Sequence, residues 1–404
     1  MTDRAATQRA IEAVWRIESP RLIAALARMM RDVGVAEDLA QDALVAALEK
    51  WPQSGVPDNP GAWLMTAAKH RAIDLMRRSR KRDEKHAEFG FFMAVASYDE
   101  VGSDDLLSLI FTCCHPVLSM EARVALTLRM LGGLSTPEIA RAFLVPETTI
   151  AQRIVRAKRA LAGVGFAIPD GDALPERMAG VLEVIYLIFN EGYAATAGPD
   201  WMRPGLCEDA LRLGRVLSTL APRDSEVWGL LALMEIQASR MAARVTRAGR
   251  PILLLDQDRS RWDRLLIQRG LLALRRAEGL GLGVYGLQAA IAACHARAAR
   301  AQDTDWIRIA ALYETLARVS PSPVVELNRA VALGMAFGPH AGLSHLDGLE
   351  NELGGYHLLP SVRGDLLAKL GRTGEARAEF ERAASLTANA AERDLLLARA
   401  RALA

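Results

Sequence analysis

A chain of 404 residues, half of them hydrophobic, is long enough for two or three domains with real cores. The net charge of +2 excludes a uniformly basic or acidic protein, and few aromatics beside abundant Ala, Leu and Arg favour helices. No apolar run is long enough to span a bilayer, Met1–Arg16 lacks the apolar core of a signal peptide, and the four cysteines have no metal-ligand spacing. The composition therefore predicts a cytoplasmic, all-α protein with no membrane contact, cofactor or metal.

Charge is unevenly placed along the chain. Lys69–Lys85 carries +5 and Leu118–Leu161 carries +4, which leaves the remainder at −7. Two basic islands suggest two anchoring points on a polyanion; the alternative is two solvated helix faces.

In chain order, Arg9–Met30 has helical spacing around a break at Ser19-Pro20. Ala36–Trp51 reads as an amphipathic helix closed by Pro52. Its core face is expected at Ala40, Leu44, Leu48 and Trp51, and Asp38, Gln41, Asp42 and Glu49 lie on the other side. The turn-rich Pro52–Gly61 leads into a helix from Ala62 to about Arg80 that ends in a basic run, whose cations suit the helix dipole. Asp83–Ser103 has little periodicity and reads as a linker. Asp104–Gly132 is helical again, divided by Pro116, with Cys113 and Cys114 expected in the core.

Ser135–Leu161 reads as two short helices with a tight break. Ser135 and Glu138 have capping-box spacing, Pro137 suits the first turn, and Pro146 should stop the first helix near Leu144. The second helix has an apolar face at Ile150, Ile154, Ala157 and Leu161. Thr149, Gln152, Arg153 and Arg156 form a neighbouring stripe at i, i+3, i+4 and i+7. Arg and Gln can bond base edges bidentately, Thr can reach a base or a phosphate, and Lys158 and Arg159 could take phosphates. This is the pattern of a helix-turn-helix that reads a major groove; a helical hairpin with a solvated basic face is the alternative.

Gly, Pro and Asp cluster in Ala162–Glu176, where a domain boundary is expected. Met178–Tyr193 is apolar on nearly every side, with Gly192 read as the residue ending the helix. Leu366–Leu386 has the small and large residues of a tetratricopeptide-type helix pair, with weaker versions at Tyr285–Pro321 and Val324–Leu349. In DQDRSRWDR, Asp256–Arg264, Ser260 and Asp263 fit a helix N-cap and the Arg/Asp pairs can satisfy one another. No phosphate loop, metal motif or nucleophile elbow supports an enzyme.

Three stretches together resemble the extracytoplasmic-function (ECF) sigma factors of bacterial RNA polymerase, in the subgroup with a C-terminal tetratricopeptide-like extension. They are Ala36–Pro52, Asn59–Arg82 and Leu109–Leu161, and tail phrases such as VIYLIFNEGY and SPVVELNRAVA agree. The resemblance implies sigma region 2 over 1–82, a linker over 83–103, region 4 over 104–163, a second linker over 164–176 and a helical-repeat regulatory domain over 177–404. It implies that Asp38, Gln41 and Asp42 grip the polymerase β′ coiled coil, with region 4 on the β flap. It assigns Asn59, Trp63, Lys69, His70, Arg71, Arg77 and Arg78 to the −10 element, with Arg80 and Lys81 as further phosphate contacts. It assigns Thr148, Thr149, Gln152, Arg153, Arg156, Lys158 and Arg159 to the −35 element. The family more often has Arg-Asn where Lys69-His70 stands here. A protein or peptide partner of the repeat domain is also expected. Two rival classes stand beside it: a stand-alone helix-turn-helix regulator with a repeat sensor, and a helical-repeat scaffold whose basic patches are incidental.

Overall fold

The computed structural model describes residues 4–80, 103–247 and 249–403, without the side chains of 4–6, 76–80 and 103. Among these residues there are nineteen α-helices and no β-strand. The chain forms two compact units, 1–185 and 186–404. Most of the expected first linker lies outside the described residues.

The first unit begins with α1 (Arg4–Met30), α2 (Val33–Ser54) and α3 (Pro60–Arg80), which pack on one another. The break expected at Ser19-Pro20 is absent: α1 runs straight through it. A proline in a helix interior costs about 3 kcal/mol, yet burying Leu22, Ile23 and Leu26 beyond it contributes about 1.5–3 kcal/mol each. Pro52 likewise does not end α2, which runs on to Ser54 and is capped by Gly55 (φ 83°), whose N–H donates to Trp51 O at 2.9 Å. The core face of α2 is also turned from the expected one. Ala36, Leu39, Ala40, Ala43, Ala47 and Trp51 are buried, and Leu48 is 42% exposed. Small alanines let α1 approach closely, and the larger leucines are pushed to the rim.

Four more helices follow: α4 (Ser103–Cys113), α5 (Met120–Met130), α6 (Thr136–Phe143) and α7 (Glu147–Ala160). Cys113 and Cys114 are buried, with their sulfurs on Met130 and Thr127. Burial pushes the Cys114 thiol up to about 11, a packing group rather than a nucleophile. Helix α8 (Ala173–Tyr193) starts inside the stretch read as the second linker, and its Arg177 donates to Phe111 O at 2.8 Å. Gly192 sits within α8 instead of ending it. A Cβ there would lie 2.7 Å from the Cys207 backbone nitrogen, so close approach requires the glycine. Along α8, Val181, Leu182, Val184, Ile185, Ile188 and Phe189 are buried, while Ala179, Glu183 and Leu187 form an exposed stripe.

The second unit runs from the end of α8 through α9 (Pro204–Leu220), α10 (Ser225–Ala238), α11 (Arg264–Leu280), α12 (Val284–Arg297), α13 (Trp306–Val319), α14 (Pro323–Phe337), α15 (Pro339–Leu346), α16 (Glu350–Leu353), α17 (Leu358–Lys369), α18 (Thr373–Leu386) and α19 (Ala390–Arg401). Helices adjacent in sequence pack together, and three hydrophobic clusters share elements in turn, α10–α12, then α12–α14, then α14–α17, with a fourth over α18–α19. The last two of these clusters share no helix and are joined instead by the packing of α17 on α18; such neighbour-to-neighbour packing is the logic of stacked helix pairs. The end of the stack returns to its beginning. Buried Asn389 caps α19 through Oδ1 and donates from Nδ2 to Ala195 O and Asp200 O, both at 3.0 Å. The DQDRSRWDR stretch is arranged differently from expectation. Asp263 caps α11 and Asp258 caps a short 3₁₀ turn, to whose carboxylate Ser260 donates, while Arg259 points inward.

Candidate nucleic-acid and polymerase interface

Helix α6 starts with the capping box read from the sequence: Ser135 N–H donates to Glu138 Oε2 at 2.8 Å, and Glu138 N–H reaches Ser135 Oγ at 3.4 Å. The break falls at Leu144, in the left-handed region (φ 52°) where a glycine usually sits. Helix α7 then buries Ile150, Ile154, Ala157 and Leu161. Thr148, Gln152, Arg156 and Arg159 are exposed, and Thr149 and Arg153 are half-buried along the same side. One helix thus carries three forked guanidiniums and an amide within about two turns, facing away from its core.

Lys158 is placed differently. Its Nζ lies 2.5 Å from Glu37 Oε2 and 2.7 Å from Asp38 Oδ1, and only 17% of its side chain is exposed. Burial alone would lower this ammonium; the Glu37 and Asp38 carboxylates outweigh it and hold its pKa above the usual lysine value. Glu37 is itself buried and also binds Arg129 Nε at 2.9 Å. Two further ion pairs join the first three helices to the next four, Arg16–Glu138 at 2.8 Å and Arg28–Asp105 at 3.0 Å. The helix-turn-helix is therefore latched onto α1 and α2, through one of the very carboxylates expected to grip the polymerase.

Asp32 caps α2, accepting from Gly34 N–H at 2.7 Å and Val35 N–H at 2.9 Å. Asp38 is exposed apart from Lys158, and Asp42 pairs with Arg71 at 3.1 Å on the surface. Gln41 is half-buried and lines a crevice with Trp15, Arg16 and Arg129. Val45 and Leu48 are 49% and 42% exposed on this same side of α2. A stripe phased on the leucines hides them; phased on Ala36, Ala40, Ala43 and Ala47, both fall on the outer face. The outer face is thus acidic with an apolar centre, suited to a basic, partly apolar partner helix.

Asn59 caps α3, its Oδ1 accepting from Ala62 N–H at 3.0 Å. Trp63 is half-buried and meets Trp51 edge-on (ring centroids 5.3 Å), with Lys50 Nζ 5.9 Å from its ring centre. His70 is exposed one i, i+7 step along; Lys69 lies a third of a turn away. Arg71 is exposed and bound to Asp42. Arg77, Arg78 and Arg80 belong to α3, but their side chains, and all of Lys81, lie outside the described residues.

Comparison with known proteins bears on these two modules. Residues 15–82 match the Sigma-70 region 2 family and residues 108–161 the Sigma-70 region 4 family. The ECF RNA polymerase sigma factor SigC of Mycobacterium tuberculosis is 32% identical over 143 residues, 35% of this chain and 75% of that protein. The chain belongs to the ECF RNA polymerase sigma factors. Core polymerase and promoter DNA are the partners this membership brings, and the stand-alone regulator falls away. A probable ECF sigma factor of the same organism, SigI, is 27% identical over 156 residues, 37% of this chain and 53% of that one. An uncharacterised protein of Rhizobium meliloti is 42% identical over 388 residues, 92% of this sigma factor and 91% of its own length. Residues 177–278 match a family of unknown function, DUF6596. Among the described residues no helix is long and apolar enough to cross a membrane.

Proposed function

We propose that this sigma factor docks on core polymerase through the outer face of α2, with Asp38, Gln41 and Asp42 taking the β′ coiled coil. In this reading α3 holds the opened −10 strand, α7 reads the −35 element, and α4–α7 sit on the β flap. Residues 83–102 and 164–172 serve as linkers, and the tetratricopeptide-like helices beyond regulate the modules through a protein or peptide partner. The observation that carries the proposal is the Glu37–Lys158–Asp38 latch. Elements named −10 and −35 lie roughly 85 Å apart on straight B-DNA at 3.4 Å per base pair. With α7 ion-paired to α2, on which α3 packs, α3 and α7 cannot serve both elements at once, so the latched state is a resting state that must open for polymerase.

The experiment is promoter-specific transcription by core polymerase with the full chain, before and after cleavage at a protease site placed among residues 164–172, ahead of α8. Transcription that changes on cleavage supports regulation by the second unit. Transcription unchanged by cleavage would leave the sigma activity standing and remove the regulatory role.

A further inference from the structure

The second unit encloses a cavity of about 660 Å³. Tyr186, Tyr193, Gln237, Arg240, His295 and Tyr313 are among its walls, and among the described residues no Asp or Glu is. Its size falls within the range of ligand pockets, roughly 300–1,000 Å³.

Arg240 is only 8% exposed. Its Nη2 donates to Tyr193 Oη at 2.7 Å, its guanidinium lies 5.8 Å from the Tyr193 and Trp262 ring centres, and its Nε has no partner. Two more buried arginines stand beside it. Arg244 stacks 3.4 Å over the Tyr193 ring and donates to Tyr193 O, and Arg259 donates to His295 O at 2.6 Å and Ala298 O at 2.8 Å. Among the described residues none of the three has a carboxylate within ion-pair distance, whereas Arg203 and Arg215 in the same unit pair with Glu191 and Glu235. Asp303 acts on Arg259 only from beyond ion-pair distance; ring faces and carbonyls offset part of the cost, but a cluster of buried charge without a counter-ion in contact is among the least favourable things a fold can hold. His295 adds no charge, because burial together with Arg240 and Arg259 lowers its pKa to about 3. Its Nδ1 and the Gln237 Oε1 are buried without partners, hydrogen-bonding capacity the chain itself leaves unused.

We propose that this cavity binds a small organic anion, a carboxylate on an apolar or aromatic body, with the carboxylate on Arg240 and the body between Tyr186 and Tyr313. The missing counter-ion is then supplied by the ligand, and the fork of Arg240 suits a planar carboxylate. Inorganic phosphate could meet the charge but would leave the aromatic walls unfilled. The site would give the second unit a chemical signal to sense, yet binding itself does not depend on the regulatory reading above.

The test uses the full chain and thermal denaturation with benzoate, phenylbutyrate and octanoate at millimolar concentration. Each acid is set against its primary amide, inorganic phosphate forms a separate arm, and ionic strength is held constant. At least one carboxylate should raise Tm saturably, by roughly 2–4 °C once it exceeds its Kd several-fold, and its amide should not. Arg240→Gln should abolish the shift and raise the Tm of the unliganded protein, while Arg240→Lys keeps a weakened shift. If Arg240→Gln does not fold, the acid–amide difference in the unmodified protein decides. Equal shifts from acid and amide, no shift from any of the acids, or a shift from phosphate alone would overturn the proposal.

Discussion

Lys158→Gln is the sharpest perturbation of the latch, since it frees Glu37 and Asp38 without altering either. The two contacts contribute unequally. Asp38 is 75% exposed, and an exposed pair is worth about 0.2–1 kcal/mol. Glu37 is 4% exposed, and removing one partner of a buried pair costs about 3–5 kcal/mol. Here Glu37 keeps Arg129 at 2.9 Å and the new amide can still donate one hydrogen bond, which brings that contribution to about 2 kcal/mol. A total of about 2–3 kcal/mol shifts the closed–open equilibrium roughly 30- to 150-fold. Core affinity without DNA should rise by up to that factor, because apparent affinity scales with the competent fraction. Fluorescence anisotropy of labelled protein titrated with core polymerase measures it. Dyes on Ser54→Cys and Ala160→Cys should also move apart, and the four native cysteines are buried and do not compete. Because the folded pKa of Lys158 is raised, its contribution is fully present below about pH 10.4 and is lost only as pH rises through the higher folded value. Unchanged core affinity together with an unchanged dye distance would refute the latch.

Arg153→Ala and Arg156→Ala should each lose about 1–3 kcal/mol of discrimination between a matched and a scrambled −35 element, read by competition binding; equal loss on both sequences argues against base reading. Leu144→Gly should raise stability in thermal melts by about 0.5–1 kcal/mol, since Leu144 is 51% exposed and a left-handed conformation is easier for glycine; a clear loss would mean that Leu144 packs more than its exposure indicates. The folded pKa of His295 is depressed to about 3, so its contribution is present above about pH 6.5 and is lost as pH falls toward 3. Stability of the second unit should fall by about 1.4 kcal/mol per pH unit across that window, with a shallower slope in His295→Gln. Equal slopes in the two proteins would contradict this.

Local signals carried much of the architecture. The α6–α7 turn was legible because its parts lie within a few residues of one another: Ser135 with Glu138, then Pro146. The phase of α2 was not, because Ala43 and Ala47 bury better than Leu44 and Leu48 only once α1 is packed against them. Glu37 reads as one more helix acid; its partners lie 92 and 121 residues away, a distance no local pattern spans. Arg259 sat in a run of alternating charges that predicts surface pairing, and its inward turn follows from the 3₁₀ turn capped by Asp258. A local rule makes breaks of Pro20 and Pro52 because it weighs the lost hydrogen bond and not the burial on either side of it.

Docking on polymerase through α2 is the role proposed for this chain. It is tested most directly by mixing the full chain with purified core polymerase on a sizing column and repeating the run with Asp38→Arg and Asp42→Arg together. Comigration of the unaltered chain with core, and separate elution of a double variant that retains its helical circular dichroism, is the predicted result. A double variant that comigrates as well as the unaltered chain would contradict it.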